Sequence, residues 1–307
     1  MDGQVDEKGK NRSMNFKMKL QTVTALFIII SCLNHTVFAQ ENPYEKLPLV
    51  FQGLAAQLVA DGFEEGEIIN LFSNKKLKFD KRIMPRKITH NEAKLHYDIF
   101  LQEKRIDRAK DYLNHNKRLL DAIEREYGIP KEVKVAILLV ETDLGRYLGS
   151  GLAINTLASM AVADDLERIR PYLPKEYQNM SQGERKKIVK RMKSKARWAY
   201  SELKSLIIYA TLNNMDIFSI RGSIFGAIGL CQFMPSNALK FGVDYDKDGK
   251  VDLFSPADAL ASMANYLKYY GWRQDLAMDR QLKVIMHYNH STPYARTVIK
   301  VAEKVKS

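Results

Sequence analysis

Cysteine is nearly absent from this chain: 307 residues hold two, Cys32 and Cys231. That excludes a disulfide scaffold, and no Cys/His cluster has the spacing of a zinc site. Nine prolines and sixteen glycines are too few for a fibrous or linker-rich chain. Long apolar runs are missing as well. The one from Val23 to Leu33 is too short to span a bilayer. No repeat at solenoid periods and no nucleic-acid-binding module appear, and basic residues are not interleaved with aromatics as a stacking platform.

What is present fits a folded protein. Hydrophobic residues make up 46% and charged residues 27%, enough apolar surface to offset the entropy of ordering. With 48 Lys+Arg against 36 Asp+Glu the formal charge is +12, which favours an anionic partner without choosing one. Lys17 and Lys19 precede the apolar run, and Val37-Phe38-Ala39 stands before Gln40. This is the layout of a secretory signal peptide over residues 1–39. A second reading takes Ile29-Ile30-Ser31-Cys32 as a lipobox, so that membrane association follows only if Cys32 is lipidated. Either way the expected location is the periplasm or cell envelope of a bacterium. Removing the leader leaves Cys231 alone and a net charge of +10.

The rest reads as helical, with scarce strands. Residues 51–72 carry two short amphipathic segments broken at Asp61-Gly62. Over 105–127, Ile106, Ala109, Leu113, Leu120 and Ile123 recur at helical spacing, and Gly128 is placed to end that helix in a left-handed conformation. The next helix runs from Lys131 to about Leu144 and is apolar on its inner side. Residues 183–208 open as a basic helix crowded with Lys186, Lys187, Lys190, Arg191, Lys193, Lys195 and Arg197. That is either a solvated face or a contact for an anionic polymer.

The chemistry concentrates in two segments. Glu141-Thr142 closes the apolar helix, and Gly222–Ser236 reads GSIFGAIGLCQFMPS. Glycines at these positions admit a ligand close to the backbone, and Ser223 and Gln232 offer hydrogen bonds. At a helix C-terminus between apolar walls, a carboxyl such as Glu141 is expected to hold its proton more tightly, as a general acid requires. Asp143 lies about 200° further round the helix and is not expected to share the pocket.

These segments resemble the lytic murein transglycosylase B family. Its pattern is Ala-Ile-x-x-Val-Glu-Thr-x-x-Gly, then Gly-Ser-x-x-Gly-Ala-x-Gly-x-x-Gln-Phe-Met-Pro-Ser. Val243–Gly249, Ala264–Leu267, Gly271-Trp272 and Tyr288–Ala295 continue it in order, across roughly residues 48–307. The resemblance implies a mainly α fold, a lysozyme-like catalytic core within a larger helical domain over 40–307. It implies peptidoglycan glycan strands as substrate, a monomer and no organic cofactor. Nucleic acid is not an expected partner. Glycosidases usually carry two carboxylates, and no motif here supplies a second. The resemblance makes Glu141 the sole acid and base, with closure of a 1,6-anhydro ring on N-acetylmuramic acid. Ser223, Gln232, Tyr266, Tyr288, Asn289 and Tyr294 are the implied substrate-binding residues.

Asp244, Asp246 and Asp248 followed by Gly249 open like an EF-hand, with hard oxygen ligands at alternate positions. The closing position holds Ser255 in place of an acid. The resemblance supplies Asp258 as closing ligand and the backbone oxygen of Lys250, for a structural calcium ion in an EF-hand-like loop over 244–258. Three departures stand out: Leu139 where glycine is common, Cys231 where glycine or proline is common, and a short 259–287 segment. Leu139 and the short segment keep an inactive peptidoglycan-binding scaffold open as an alternative, and a hydrolytic muramidase of the same fold is the other.

Overall fold

The computed structural model describes residues 42–90, 96–177 and 179–307; the signal-peptide and lipobox readings lie outside them. Residues 46–307 form one compact unit. Its axis is helix α6, Lys131–Thr142, in which every residue from Val133 to Leu139 is buried. Apart from Lys134 this run is apolar, and such a helix must be enclosed. Helices α4 (Glu103–His115), α5 (Lys117–Tyr127), α11 (Pro256–Tyr269) and α13 (Thr292–Lys306) enclose it. Each large aliphatic side chain buried there contributes about 1.5–3 kcal/mol.

The helix expected over 105–127 is two helices meeting at Asn116. The Asn116 side-chain amide and backbone N–H both donate to the Tyr112 carbonyl, at 2.9 and 3.0 Å. Asparagine competes with the helical ladder in this way. Gly128 ends α5 at φ +72°, as its position suggested. α6 stops two residues earlier than expected, because Asp143 and Leu144 both take positive φ.

Before this core, α1 (Leu49–Ala60) and α2 (Glu65–Ser73) turn at Asp61-Gly62, as the sequence pattern indicates. A second apolar cluster joins α3 (Ile83–Thr89), α7 (Ala153–Ala161), the short α8 (Leu166–Ile169) and the long α9 (Gln182–Leu212). α9 starts on a capping box between Ser181 and Glu184 and runs 31 residues, four past the expected end. Its buried Glu202 accepts from the Ser236 N–H at 2.9 Å and hydroxyl at 2.8 Å, capping α10, Pro235–Phe241. The serine of the Gln-Phe-Met-Pro-Ser stretch is thus a helix anchor. α12 (Met278–Tyr288) packs on α13.

Among the described residues the strands are two residues long. β1 (Gly151–Leu152) pairs antiparallel with β2 (Arg221–Gly222), with Gly151 opposite Gly222. Isolated bridges Gly222–Ile228 and Ile228–Phe233 fold the glycine-rich segment back on itself. Gly229, at φ +72°, sits where a Cβ would lie 2.5 Å from the Leu253 carbonyl oxygen. Only glycine admits that approach.

Candidate active site

Glu141 stands in the last turn of α6, one residue before the helix ends. Thr142 fixes that end to the glycine-rich loop: its hydroxyl lies 3.1 Å from the Leu230 carbonyl oxygen and accepts the Gly145 N–H at 3.0 Å. Asp143 turns away, as its angle on the helix suggested, and pairs with Arg105 at 3.1 Å and with Arg108. Two guanidinium groups from α4 therefore hold the left-handed residue that terminates the helix. Neither arginine carries a local sequence signal, since the contact spans 35 to 38 residues.

α13 brings Tyr294 to the carboxyl. Its hydroxyl donates to Glu141 Oε1 at 2.6 Å, and the residue is 1% exposed. Burial, then the Glu141 charge, pushes the Tyr294 hydroxyl well above its ordinary pKa. It stays a proton donor throughout the physiological range. The ring of Tyr97, which sequence reasoning missed, packs edge-on against Tyr294 at 6.0 Å.

Tyr288 donates its hydroxyl to the Cys231 carbonyl. Burial, with Cys231 and Glu141 nearby, pushes that hydroxyl strongly upward too. Cys231 is fully buried, and burial lifts its thiol to about 12, so it is a small filler and carries no thiolate. Gln232 takes φ +49°, and its side-chain amide donates to the Gly229 carbonyl at 2.9 Å. The Ser223 hydroxyl oxygen accepts from Phe225 and Ala227 N–H at 3.3 and 3.1 Å, bracing its own loop. Asn289 follows the last residue of α12 and is half-buried. Tyr266 lies deeper. It is 4% exposed, donates to the His287 carbonyl at 2.6 Å and packs among Phe233, Phe241, Tyr270 and Tyr288. Its hydroxyl is thus engaged by the backbone of α12, and its ring props this aromatic wall.

The acidic loop is compact. Carboxylate oxygens of Asp244, Asp246 and Asp258 lie within 4.8 Å of one another. Asp244 accepts from the N–H groups of Asp248 and Gly249, at 3.1 and 3.0 Å. Asp258, on the first turn of α11, accepts from Tyr245 and Asp252 N–H at 2.8 and 2.7 Å. Burial, with Asp246 and Asp244 adding to it, holds its carboxyl above the ordinary value. Asp248 instead accepts from Lys250 N–H at 2.9 Å. Converging carboxylates with one buried fit a hard cation. The loop meets the site through Leu253, whose carbonyl accepts the Leu230 N–H at 2.8 Å.

Comparisons with known proteins bear on the family and the fold. Residues 49–284 match the family model described as Transglycosylase SLT domain, a stretch that ends before Tyr288, Asn289 and Tyr294. The membrane-bound lytic murein transglycosylase B of Escherichia coli strain K12 is 27% identical over 173 residues, covering 56% of this chain. The match spans only 40% of that relative's own length. A lytic transglycosylase from E. coli, solved in complex with calcium, superposes with a TM-score of 0.66 at 21% identity, covering 84% of this chain and 93% of that one. SltB3 from Pseudomonas aeruginosa, in complex with NAG-NAM-pentapeptide, gives 0.67 at 19% identity, covering 85% and 80%. The fold is the mainly α, lysozyme-like one of these enzymes, and the chain belongs to the transglycosylase SLT domain family.

Proposed function

We propose that this protein is a lytic transglycosylase that cuts the MurNAc–GlcNAc bond of peptidoglycan without consuming water. The observation that carries the reading is the hydrogen bond from Tyr294 to Glu141, at the C-terminal end of a buried helix, beside the glycine-rich loop. Glu141 acts first as general acid, giving its proton to the glycosidic oxygen as the C1–O bond breaks. The N-acetyl oxygen of the same sugar stabilises the cationic centre. Glu141 then takes the proton of the sugar's 6-hydroxyl as that oxygen bonds to C1, closing the 1,6-anhydro ring. Proton and bond counts balance with one carboxyl group. Tyr294 orients that carboxyl, Tyr288 fixes the Cys231 backbone, and Ser223, Gln232 and Asn289 line the saccharide groove.

Asp244, Asp246, Asp248, the Lys250 backbone oxygen and Asp258 would hold a calcium ion, which neutralises the carboxylates and stiffens the loop behind Leu253. The relative solved with calcium supports this reading, as does the acidic cluster. We place the enzyme in the cell envelope after export. Among the described residues no helix is long and apolar enough to cross a membrane.

Digestion of purified murein followed by mass spectrometry of the sugar ends tests the proposal. Anhydro ends are the expected product. Reducing ends would make the protein a muramidase, and bound but uncut murein would make it a scaffold.

A further inference from the structure

The first half of α9 is charged against its own interest. Between Arg185 and Ser201 it holds eight cations and no acid. Glu184 is spent in the capping box and Glu202 in capping α10. Lys186 and Lys190, Lys187 and Arg191, Arg191 and Lys195, and Lys193 and Arg197 are like-charged pairs four residues apart, an arrangement that weakens a helix. The cations also crowd its N-terminal half, where the helix dipole is already positive. Among the described residues, Arg185 is the one of them that forms a salt bridge, to Glu167. Local helix stability does not account for this composition.

The charges have a direction. At 100° per residue, Lys186, Lys190, Lys193 and Arg197 fall within about 60° of arc and run about 17 Å along the helix. All four are exposed, and with Arg185 and Val189 they line a shallow depression of about 530 Å³. Ile188, Val189, Met192 and Ala196 turn toward the second apolar cluster. Beside Arg197, Trp198 lies under Lys87 at 4.7 Å, and Lys87 in turn covers Phe225 of the glycine-rich loop at 3.9 Å. The residue that follows the row thus touches a lysine that also covers the glycine-rich loop.

We propose that the row Lys186, Lys190, Lys193, Arg197 is a docking surface for a linear, water-soluble polyol-phosphate polymer, a phosphodiester chain without nucleobases, laid along α9. A narrow line of point charges suits a polymer with evenly repeating anions. Among the described residues, no large hydrophobic side chain between 148 and 207 is exposed, so the face has no wedge for a membrane. The row also carries no ring for bases to stack on, since Trp198 is engaged by Lys87 and Lys195.

Binding of poly(glycerol phosphate) to the purified protein, titrated at several salt concentrations, tests the surface. Substituting Lys186→Gln, Lys190→Gln, Lys193→Gln and Arg197→Gln together should weaken binding at least about tenfold and flatten its salt dependence. The melting temperature of that variant should hold or rise, since like charges have been removed. The set Lys187→Gln, Arg191→Gln, Lys195→Gln, on the neighbouring face, should weaken binding far less. Equal losses from the two sets would reduce the effect to net charge and overturn the proposal. So would tighter binding to phosphatidylglycerol vesicles or to single-stranded DNA than to the polymer. Should the fourfold variant not fold, Lys190→Gln alone must still lower the salt slope, and an unchanged slope counts against the row.

Discussion

Tyr294 donates its hydroxyl to Glu141 Oε1 across 2.6 Å, from a helix 153 residues further along the chain. The donor is buried and keeps its proton, so the carboxyl is held in one orientation whether it is charged or neutral.

Removing that hydroxyl should leave the groove intact and misplace the reacting group. A hydrogen bond to a carboxylate is worth about 1.5–3 kcal/mol. Tyr294→Phe should therefore lower kcat on murein by about tenfold to a hundredfold, with KM little changed. Steady-state kinetics on soluble glycan fragments measure this, and an unchanged kcat would remove Tyr294 from the mechanism.

Glu141→Gln keeps the side chain's shape but cannot shuttle a proton. Release of anhydro ends should fall by about 10²–10⁴-fold, with circular dichroism unchanged. Retained activity would transfer the chemistry to another group.

Calcium should raise the melting temperature, and Asp258→Asn should abolish the rise. Asp258 has a raised folded pKa. Without metal, the stability its proton confers is therefore lost as pH climbs above the ordinary value of 3.8. The calcium-induced gain should accordingly grow from that pH toward neutrality. Thermal melts with and without calcium across this range read the effect, and a gain that shrinks with pH would dismiss the site.

Lys134 offers a test of the core. It is fully buried in α6, donates to the Ile129 carbonyl at 2.6 Å, and burial lowers its pKa from 10.5 to about 8. Below about 8 both folded and unfolded chains carry the charge, and the folded state bears the cost of burying it. Between about 8 and 10.5 the unfolded chain holds the extra proton, so this residue makes stability rise with pH. The difference in unfolding free energy between the wild type and Lys134→Met should shift in favour of the wild type across that interval. A flat difference would mean the ammonium is well solvated and keeps its ordinary pKa in the folded chain.

Much of this was legible from residue patterns because the deciding interactions were local. Gly128 ends α5 through a backbone conformation that glycine favours, and the apolar run of α6 could only be an enclosed helix. The loop acids also converge, Asp258 among them, though its place there came from family resemblance and not from spacing. Partners distant in sequence were not legible. Arg105 and Arg108 look like ordinary surface residues of an amphipathic helix until Asp143 is placed beside them. Tyr266 stands in a recognisable motif, yet its ring fills an aromatic cluster. Which way a tyrosine turns depends on neighbours from three other segments.

The hydroxyl of Thr142 has a further meaning for the order in which this molecule matures. It bridges to a carbonyl 88 residues away, and Tyr288 reaches Cys231 across 57 more. Such closures come late in folding, because distant segments must meet before any contact repays the lost chain freedom. A nascent chain thus carries Glu141 long before its loop, and its loop before Tyr294. The contact from Tyr294 to Glu141 closes only once α13 is present, so the carboxyl receives its orienting partner from the segment made last of the three.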